Sequence, residues 1–301
     1  MLGALWILAP RGFPLRSLGI LFLLPMFLIA PTTPTENAAR LVVFDVGQGL
    51  AVAVQTHSHA LLYDAGPDFA GESDSGNRIL VPSLRSLGIA KLDGLILSHD
   101  DIDHIGGANS VMQALPIDWV SSSLKADHPL LRTVKQHNVC IDGQNWTWDG
   151  VRFDVLHPSD LDDSDKKHDN DQSCVLRISV GTQSILLVGD IEKASVSRLL
   201  ALHMHELLST LLVAPHHGSK SSSSDAFVKA VSPKQVVFTA GYRNRFHHPH
   251  PTVWQRYGDA GAARLRSDVD GAVIIYLSAE DLKVESYRKT HRRYWTHEVA
   301  N

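Results

Sequence analysis

The chain has 301 residues, 44% of them hydrophobic and 20% charged, the balance of a globular protein with apolar material for one large or two small domains. Its net charge of −4 excludes a uniformly basic nucleic-acid binder, so any contact with phosphates must come from a local patch or from bound cations. Its two cysteines, Cys140 and Cys174, exclude a disulfide scaffold and a thiolate metal cluster. They read as buried apolar residues, with a single disulfide as the alternative in an oxidising compartment.

At the N-terminus, residues 17–35 (SLGILFLLPMFLIAPTTPT) carry no charge. A helix of that length measures roughly 28 Å, close to a bilayer core of about 30 Å. Pro25 would kink it, which membrane helices tolerate, and Pro31 and Pro34 would end it. Residues 1–10 are apolar but too short to cross and read as the cut end of an earlier helix. Arg11 and Arg16 precede the apolar run, and no Lys or Arg follows until Arg40. The positive-inside rule then puts 11–16 in the cytoplasm and everything from 40 onward outside. The expected organisation is a membrane segment over 1–36, a folded domain over 37–287 and a basic, aromatic tail over 288–301. A secretory signal peptide is the alternative for the apolar run.

From Arg40 the pattern changes to short apolar strands. LVVFDV (41–46) and LAVAVQ (50–55) flank the turn Gly47-Gln48-Gly49, a hairpin signal, and ALLYDA (60–65) reads as a third strand. A helix is expected over 77–87, ending at Gly88. DGLILS (93–98) is a buried strand that stops at HDDIDHIGG (99–107), with a helix near 105–115. Strands are predicted near 117–121, 145–156, 174–180 and 184–189, and a helix near 191–201. The buried strand STLLVA (209–214) is followed by a Ser-rich turn, a helix near 224–231 and the strand QVVFTA (235–240). A helix near 251–261 and strands near 272–277 and 281–286 complete the pattern. Strands and helices alternate without a low-complexity linker, which predicts one α/β domain. LDDSDKKHDND (161–171) reads as a loop.

The chemistry concentrates at strand ends. His99-Asp100-Asp101-Ile102-Asp103-His104 crowds potential metal ligands into one short segment directly after a buried strand. In an α/β sheet such side chains face the crevice that binds ligands. Imidazole with carboxylate suits zinc, manganese or iron, and Gly106 and Gly107 would let backbone approach the site closely. ILLVGD (185–190) ends in Asp190, a position that a helix N-cap would also explain. LLVAPHHGS (211–219) ends in His216 and His217. Three strands that each end in a metal-binding side chain are not what packing alone produces.

HDDIDH followed by Gly-Gly is similar to the HxHxDH signature of the metallo-β-lactamase fold. With DVGQG (45–49), YDAGP (63–67), NDQS (170–173), HHGS (216–219) and HPHP (248–251), it resembles the C-terminal domain of the ComEC family, the inner-membrane channel for DNA uptake in natural competence. The likeness runs from about 41 to 277. It takes in PRGFPLRSLGILFLLP (10–25), which is similar to the last membrane segment before that domain. The resemblance implies an αββα sandwich and one or two divalent ions, Mn²⁺ or Zn²⁺, with no organic cofactor. His99 and Asp101 fall where the family holds its first ion, Asp103 and His104 where it holds the second, and Asp190 at the bridging carboxylate. His216 or His217 matches the last histidine, with His216 favoured as nearer the strand. Asp64 matches the acidic residue beneath the site, which orients ligands. Two positions depart from the family pattern. Asp101 stands where the second histidine is usual. The third histidine of the first site has no match, and Asn170, Asp171 and Ser173 occupy that region, where the resemblance implies that they support the ligands from behind, as Asp64 does, rather than bind the ion. Both departures would leave the first site weak, selective or empty.

The activity implied is metal-dependent hydrolysis of DNA phosphodiesters, degrading the strand that is not taken up. Asp103 would hold the ion that activates water. His248 is the candidate proton donor to the leaving oxygen, with His217 in reserve. Arg243 and Arg245 match phosphate geometry, and Ser219 would bond phosphate. The basic, aromatic stretch 288–295 suits single-stranded DNA or anionic lipid equally. Expected partners are DNA, the membrane and the remaining channel domain, with this domain on the outer, periplasmic face of the inner membrane. A DNA-binding or gating module without catalysis is the competing reading, as is another hydrolase on the same fold.

Overall fold

Apolar runs with period-two alternation become strands buried on both faces. In the computed structural model, which describes residues 2–10, 12–28, 31–69, 73–159 and 169–292, β1 (Ala38–Val43) sends Leu41 and Val43 into a central core and Val42 into an outer one, as strand geometry requires. Arg11, residues 161–168 of the predicted loop and tail residues 293–301 lie outside the described residues.

One sheet contains β1, β2 (Val52–Gln55), β3 (Ala60–Tyr63), β4 (Leu92–Leu97), β5 (Ile117–Ser122), β6 (His137–Val139), β14 (Val273–Ser278) and β15 (Leu282–Ser286). Its order is β15-β14-β1-β2-β3-β4-β5-β6. The second contains β7 (Asn145–Trp148), β8 (Val151–His157), β9 (Val175–Val180), β10 (Gln183–Leu187), β11 (Leu211–Val213), β12 (Gln235–Phe238) and β13 (Ala263–Arg266), in the order β13-β12-β11-β10-β9-β8-β7. The sheets face each other across Val54, Leu61, Phe153, Ile178, Ile185 and Val237. Helices Val81–Ser86 and Ala108–Ala114 cover the outside of the first sheet through Leu84 and Val111. Helices Lys193–Leu202, Asp225–Val231 and Pro251–Asp259 cover the second through Leu199, Phe227 and Tyr257. The expected αββα layering is present.

Parallel pairing positions the site. β3 and β4 run parallel, as do β10, β11 and β12. Their C-terminal ends therefore share one edge of each sheet, the edge where α/β proteins bind ligands.

Some local expectations need correction. The strand expected over 145–156 is a hairpin, β7 and β8, joined by Asp149 (φ 48°) and Gly150 (φ 80°). Asp-Gly is a strong two-residue turn signal. The helix expected over 77–87 opens as a wide turn, Gly76–Leu80, before Val81–Ser86, because Pro82 has no N–H for a carbonyl four residues back. Cys140 and Cys174 are not free apolar residues but form a disulfide, with Cα atoms 5.9 Å apart.

The single helix expected over 17–35 is replaced by short pieces, Arg16–Leu23 and Pro25–Leu28. Among the described residues no helix is long and apolar enough to cross a membrane. Helix Leu2–Ile7 packs on Arg16–Leu23 where Gly3 and Gly19 meet, the small-residue contact that lets two backbones approach.

Candidate metal centre

Three strand ends and one short helix build the centre. His99 follows β4, Asp103 and His104 lie on the helix Ile102–Ile105, Asp190 follows β10, and His217 lies in the turn Pro215–Gly218 after β11. The His104 Nε2 and His217 Nε2 atoms face each other at 3.3 Å. Asp190 reaches both, with Oδ1 3.1 Å from His104 Nε2 and Oδ2 3.3 Å from His217 Nε2. Asp103 Oδ2 lies 3.3 Å from His217 Nε2. Two ligand triplets result, His99–His104–Asp190 and Asp103–His104–His217, each with its donor atoms within 4.8 Å of one another.

The outer nitrogens of the rings show why their inner nitrogens face the centre. Asp64, fully buried after β3, accepts from Ser98 N, Ser98 Oγ and His104 Nδ1, each at 2.7 Å. Ser98 Oγ spends its proton on Asp64, so at 2.9 Å it accepts from His99 Nδ1. Thr239 Oγ1 lies 3.0 Å from His217 Nδ1. The His99 and His104 rings thus hold their Nδ1 protons away from the centre and turn their Nε2 lone pairs inward, as metal-binding imidazoles require, and Thr239 can accept the His217 Nδ1 proton in the same way. His99 Nε2 is buried without a hydrogen-bond partner. Inward lone pairs beside two carboxylates repel one another unless a proton or a cation lies between them, so these residues fit a divalent ion. One imidazole nitrogen has one lone pair, so His104 can serve only one of the two triplets at a time.

Backbone strain marks the same places. Asp64, His216 and His217 adopt φ of 56°, 49° and 54°, a left-handed conformation that costs a non-glycine residue about 1–2 kcal/mol and gathers at functional sites. Gly49 (φ 141°) brings the DVGQG segment against the Asp103 carbonyl, where a Cβ would collide, and Leu50 N donates to that carbonyl at 3.1 Å. Gly106 and Gly107 pack against residues 65–68 rather than facing the centre.

Several sequence expectations shift. His217, not His216, turns into the cluster, because two consecutive left-handed residues reverse the chain. His216 Nε2 stays 3.6 Å from Asp190, and its Nδ1 lies 3.2 Å from Glu192. Asp101 belongs to neither triplet. Its side chain is 44% exposed and lies 3.4 Å from His99 Nε2. Asp171 accepts from Ser195 N and Oγ at the start of the helix Lys193–Leu202, Ser173 Oγ accepts from Asp190 N at 3.1 Å, and Asn170 only accepts through its carbonyl from Ser173 N. NDQS therefore braces the centre and does not complete the first site. Ser219 pairs with Ser221 at 3.1 Å. Arg243 and Arg245 are exposed on the loop after β12. Sequence reasoning missed Ser98 and Thr239, although each directly follows or ends a strand whose neighbour carries a ligand.

Electrostatics follow from this crowding. Burial pushes the Asp190 carboxyl up, but His104 and His217 outweigh it and hold its pKa well below the usual range. Asp103 is held down in the same way. Burial pulls His217 down, yet Asp190 and Asp103 hold it up at about 9, and Asp190 and Asp64 raise His104 further. Burial, then the His217 and His216 charges, lower His248 to about 4. In the metal-free chain His248 is therefore neutral at physiological pH. Without a metal, protons occupy the imidazoles. A raised pKa stabilises the fold below the unfolded value and loses that contribution as pH rises through about 9 for His217. The metal-free chain should therefore melt at lower temperature at pH 9 than at pH 7. Metal uptake at pH 7.5 should release about one to two protons per ion. Calorimetry in two buffers of different ionisation enthalpy measures this, and no proton release would contradict the arrangement.

Residues 44–241 match the model of the metallo-beta-lactamase superfamily. The chain belongs to the metallo-beta-lactamase superfamily. It is 37% identical over 97% of its length to "Competence protein ComA" of Neisseria gonorrhoeae, of which it covers 40%. It is 34% identical over 81% of its length to "Recombination protein 2" of Haemophilus influenzae, of which it covers 29%. The chain thus spans well under half the length of these relatives. Its fold is shared with Igni18, a metallo hydrolase of Ignicoccus hospitalis (TM-score 0.51, 16% identity, 82% of this chain and 98% of that one). It is shared also with the metallo-beta-lactamase fold protein YhfI of Bacillus subtilis (TM-score 0.50, 14% identity, 76% and 95%). Metallo-beta-lactamase membership implies divalent metal, and the buried cluster of His99, Asp103, His104, Asp190 and His217 is where the residues fit it.

Proposed function

We propose that the chain is a metal-dependent phosphodiesterase domain that cuts DNA beside the uptake channel of naturally competent bacteria. The observation that carries this reading is the pair of adjoining ligand triplets, His99–His104–Asp190 and Asp103–His104–His217, next to a loop bearing Arg243 and Arg245. The competence-protein relatives support the DNA context; the fold alone does not set a substrate. When bound, a divalent ion supplies Lewis acidity and lowers the pKa of water toward about 7. His104 and His217 would hold it through Nε2, Asp103 and Asp190 through carboxylate oxygens. Asp64, Ser98 and Thr239 keep the rings in the required tautomer. Arg243 and Arg245 have no carboxylate partner among the described residues and offer fork donors to phosphate oxygens. His248, stacked on His217, is the candidate proton donor to the leaving oxygen.

The test is cleavage of a labelled single-stranded oligonucleotide by the purified chain. Cleavage should require divalent metal. Asp103→Ala should lower the rate by at least about 100-fold, the scale of losing one transition-state electrostatic group, with the fold intact by circular dichroism. Wild-type rates in excess chelator or in Asp103→Ala would overturn the reading and favour a non-catalytic binding module.

On the same reading the domain lies on the outer face of the cytoplasmic membrane, beside the remaining channel domain. Three observations support this. The Cys140–Cys174 disulfide suits an oxidising compartment. Arg11 and Arg16 precede the apolar N-terminal run. Ile20, Leu21, Phe22 and Leu28 in that run are more than half exposed, as a surface meant for lipid or other membrane segments would be. A reporter active only outside the cytoplasm, fused after residue 301, should be active; silence from a well-expressed fusion would count against this placement.

A further inference from the structure

The loop after β12 carries a pattern that hydrolysis does not use. Tyr242 and Phe246 are 62% and 51% exposed, unusual for large rings beside a buried polar centre. Each is partnered by an adjacent guanidinium: Arg243 Cζ lies 5.2 Å from the Tyr242 ring centre and Arg245 Cζ 4.8 Å from that of Phe246. The loop is pinned from within. Asn244 Nδ2 donates to the Gly241 and His248 carbonyls at 3.1 and 2.7 Å, and its Oδ1 accepts from His248 N at 2.8 Å. Gly241 N donates to Gln48 Oε1 at 3.3 Å, tying the loop to DVGQG. The rings are thus held on a stiff turn, which lowers the ordering cost of binding. Phe246 stacks on His248 at 5.7 Å and 22°, and His248 on His217 at 6.3 Å and 26°. A column of near-parallel rings runs from the surface to the candidate metal centre.

We infer that Tyr242 and Phe246 form a base-stacking platform, so that the site takes single-stranded DNA with unstacked bases in preference to duplex. The inference rests on the nucleic-acid reading above and deepens it. In a duplex the base faces are already covered by their neighbours. An unpaired strand offers free faces to Tyr242 and Phe246 and phosphates to Arg243 and Arg245, the combination that single-strand binders use. The unpaired arginines favour a polyanion over an apolar protein partner. On a chain of net charge −4, this loop supplies a local cationic patch at the centre itself.

The test measures binding by fluorescence anisotropy in chelator, so that no strand is cut. The probes are an oligothymidylate of about 12 nucleotides and an abasic strand of equal length. The wild-type chain should prefer the base-bearing strand by about 100-fold, roughly ten-fold for each ring. Tyr242→Ala and Phe246→Ala should each remove about ten-fold of that preference, and the double variant should bind both strands alike. Phe246→Trp should retain the preference, which separates stacking from loop disruption. Arg243→Gln with Arg245→Gln should weaken both strands equally. A wild-type chain that binds both strands alike, or a double variant with undiminished preference, overturns the platform. Hydrolysis of the base-free diester methyl p-nitrophenyl phosphate by the metal-loaded wild type reads the hydrolase separately. Turnover without base preference sinks the platform alone, whereas base preference without turnover sinks the hydrolase reading and leaves the platform standing.

Discussion

Asp190→Ala should lower affinity for divalent metal by roughly a thousand-fold, the scale of removing one partner from a buried charge pair (about 4 kcal/mol), and should abolish DNA cleavage with it. Asp190 is 2% exposed and reaches His104 and His217 with its two oxygens at 3.1 and 3.3 Å. Among the described residues no other carboxylate has its two oxygens on the two rings in this way. Asp190→Asn keeps the side-chain shape and the backbone bond from Asp190 N to Ser173 Oγ, so a folded but metal-poor variant is expected. Calorimetric metal titration beside circular dichroism measures both properties. Wild-type metal affinity in Asp190→Ala would remove Asp190 from the centre.

Asp64→Ala should lower stability by about 3–5 kcal/mol, the cost of breaking a buried ionic pair, or roughly 10 °C in melting temperature for a chain of this size. Asp64 is fully buried and accepts three hydrogen bonds. Removing it leaves Ser98 N and the His104 Nδ1 proton buried without acceptors, each costing about 1–3 kcal/mol. Metal affinity should fall by about 10- to 100-fold as well, because His104 loses the partner that fixes its tautomer. Asp64→Asn tolerates φ 56° and keeps one acceptor oxygen, so it should recover more stability than metal affinity. An Asp64→Ala variant with wild-type melting temperature and affinity would show that Asp64 does not orient the centre.

The sandwich was legible because its signal is the apolar run. DGLILS, ILLVGD and LLVAPHHGS each bury one strand and place a polar side chain at its C-terminal end. Parallel pairing then gathers those ends at one edge. Choosing between His216 and His217 was beyond this logic. It turns on two left-handed residues in the turn Pro215–Gly218, a conformation that is uncommon for any non-glycine residue even where histidine is enriched in it. Asp101 misled for a related reason, since family position fixes where a residue falls along the chain but not which way its side chain turns. The break at Pro25 and the Asp149-Gly150 hairpin were written in the sequence as Pro and Asp-Gly signals, and were outweighed by the length of the apolar runs around them. Ser98 and Thr239 carry no signal of their own. Their role appears only once the rings they orient are in place.

The most direct test is metal content by elemental analysis of the purified chain and of His217→Ala, each loaded with Mn²⁺ or Zn²⁺ and dialysed against metal-free buffer. The buried cluster of His99, Asp103, His104, Asp190 and His217 predicts at least about one tightly held ion per wild-type chain, as a closed imidazole–carboxylate set allows, and near-complete loss of it in His217→Ala. A wild-type chain that retains no ion, or a His217→Ala chain that retains as much as wild type, would contradict it.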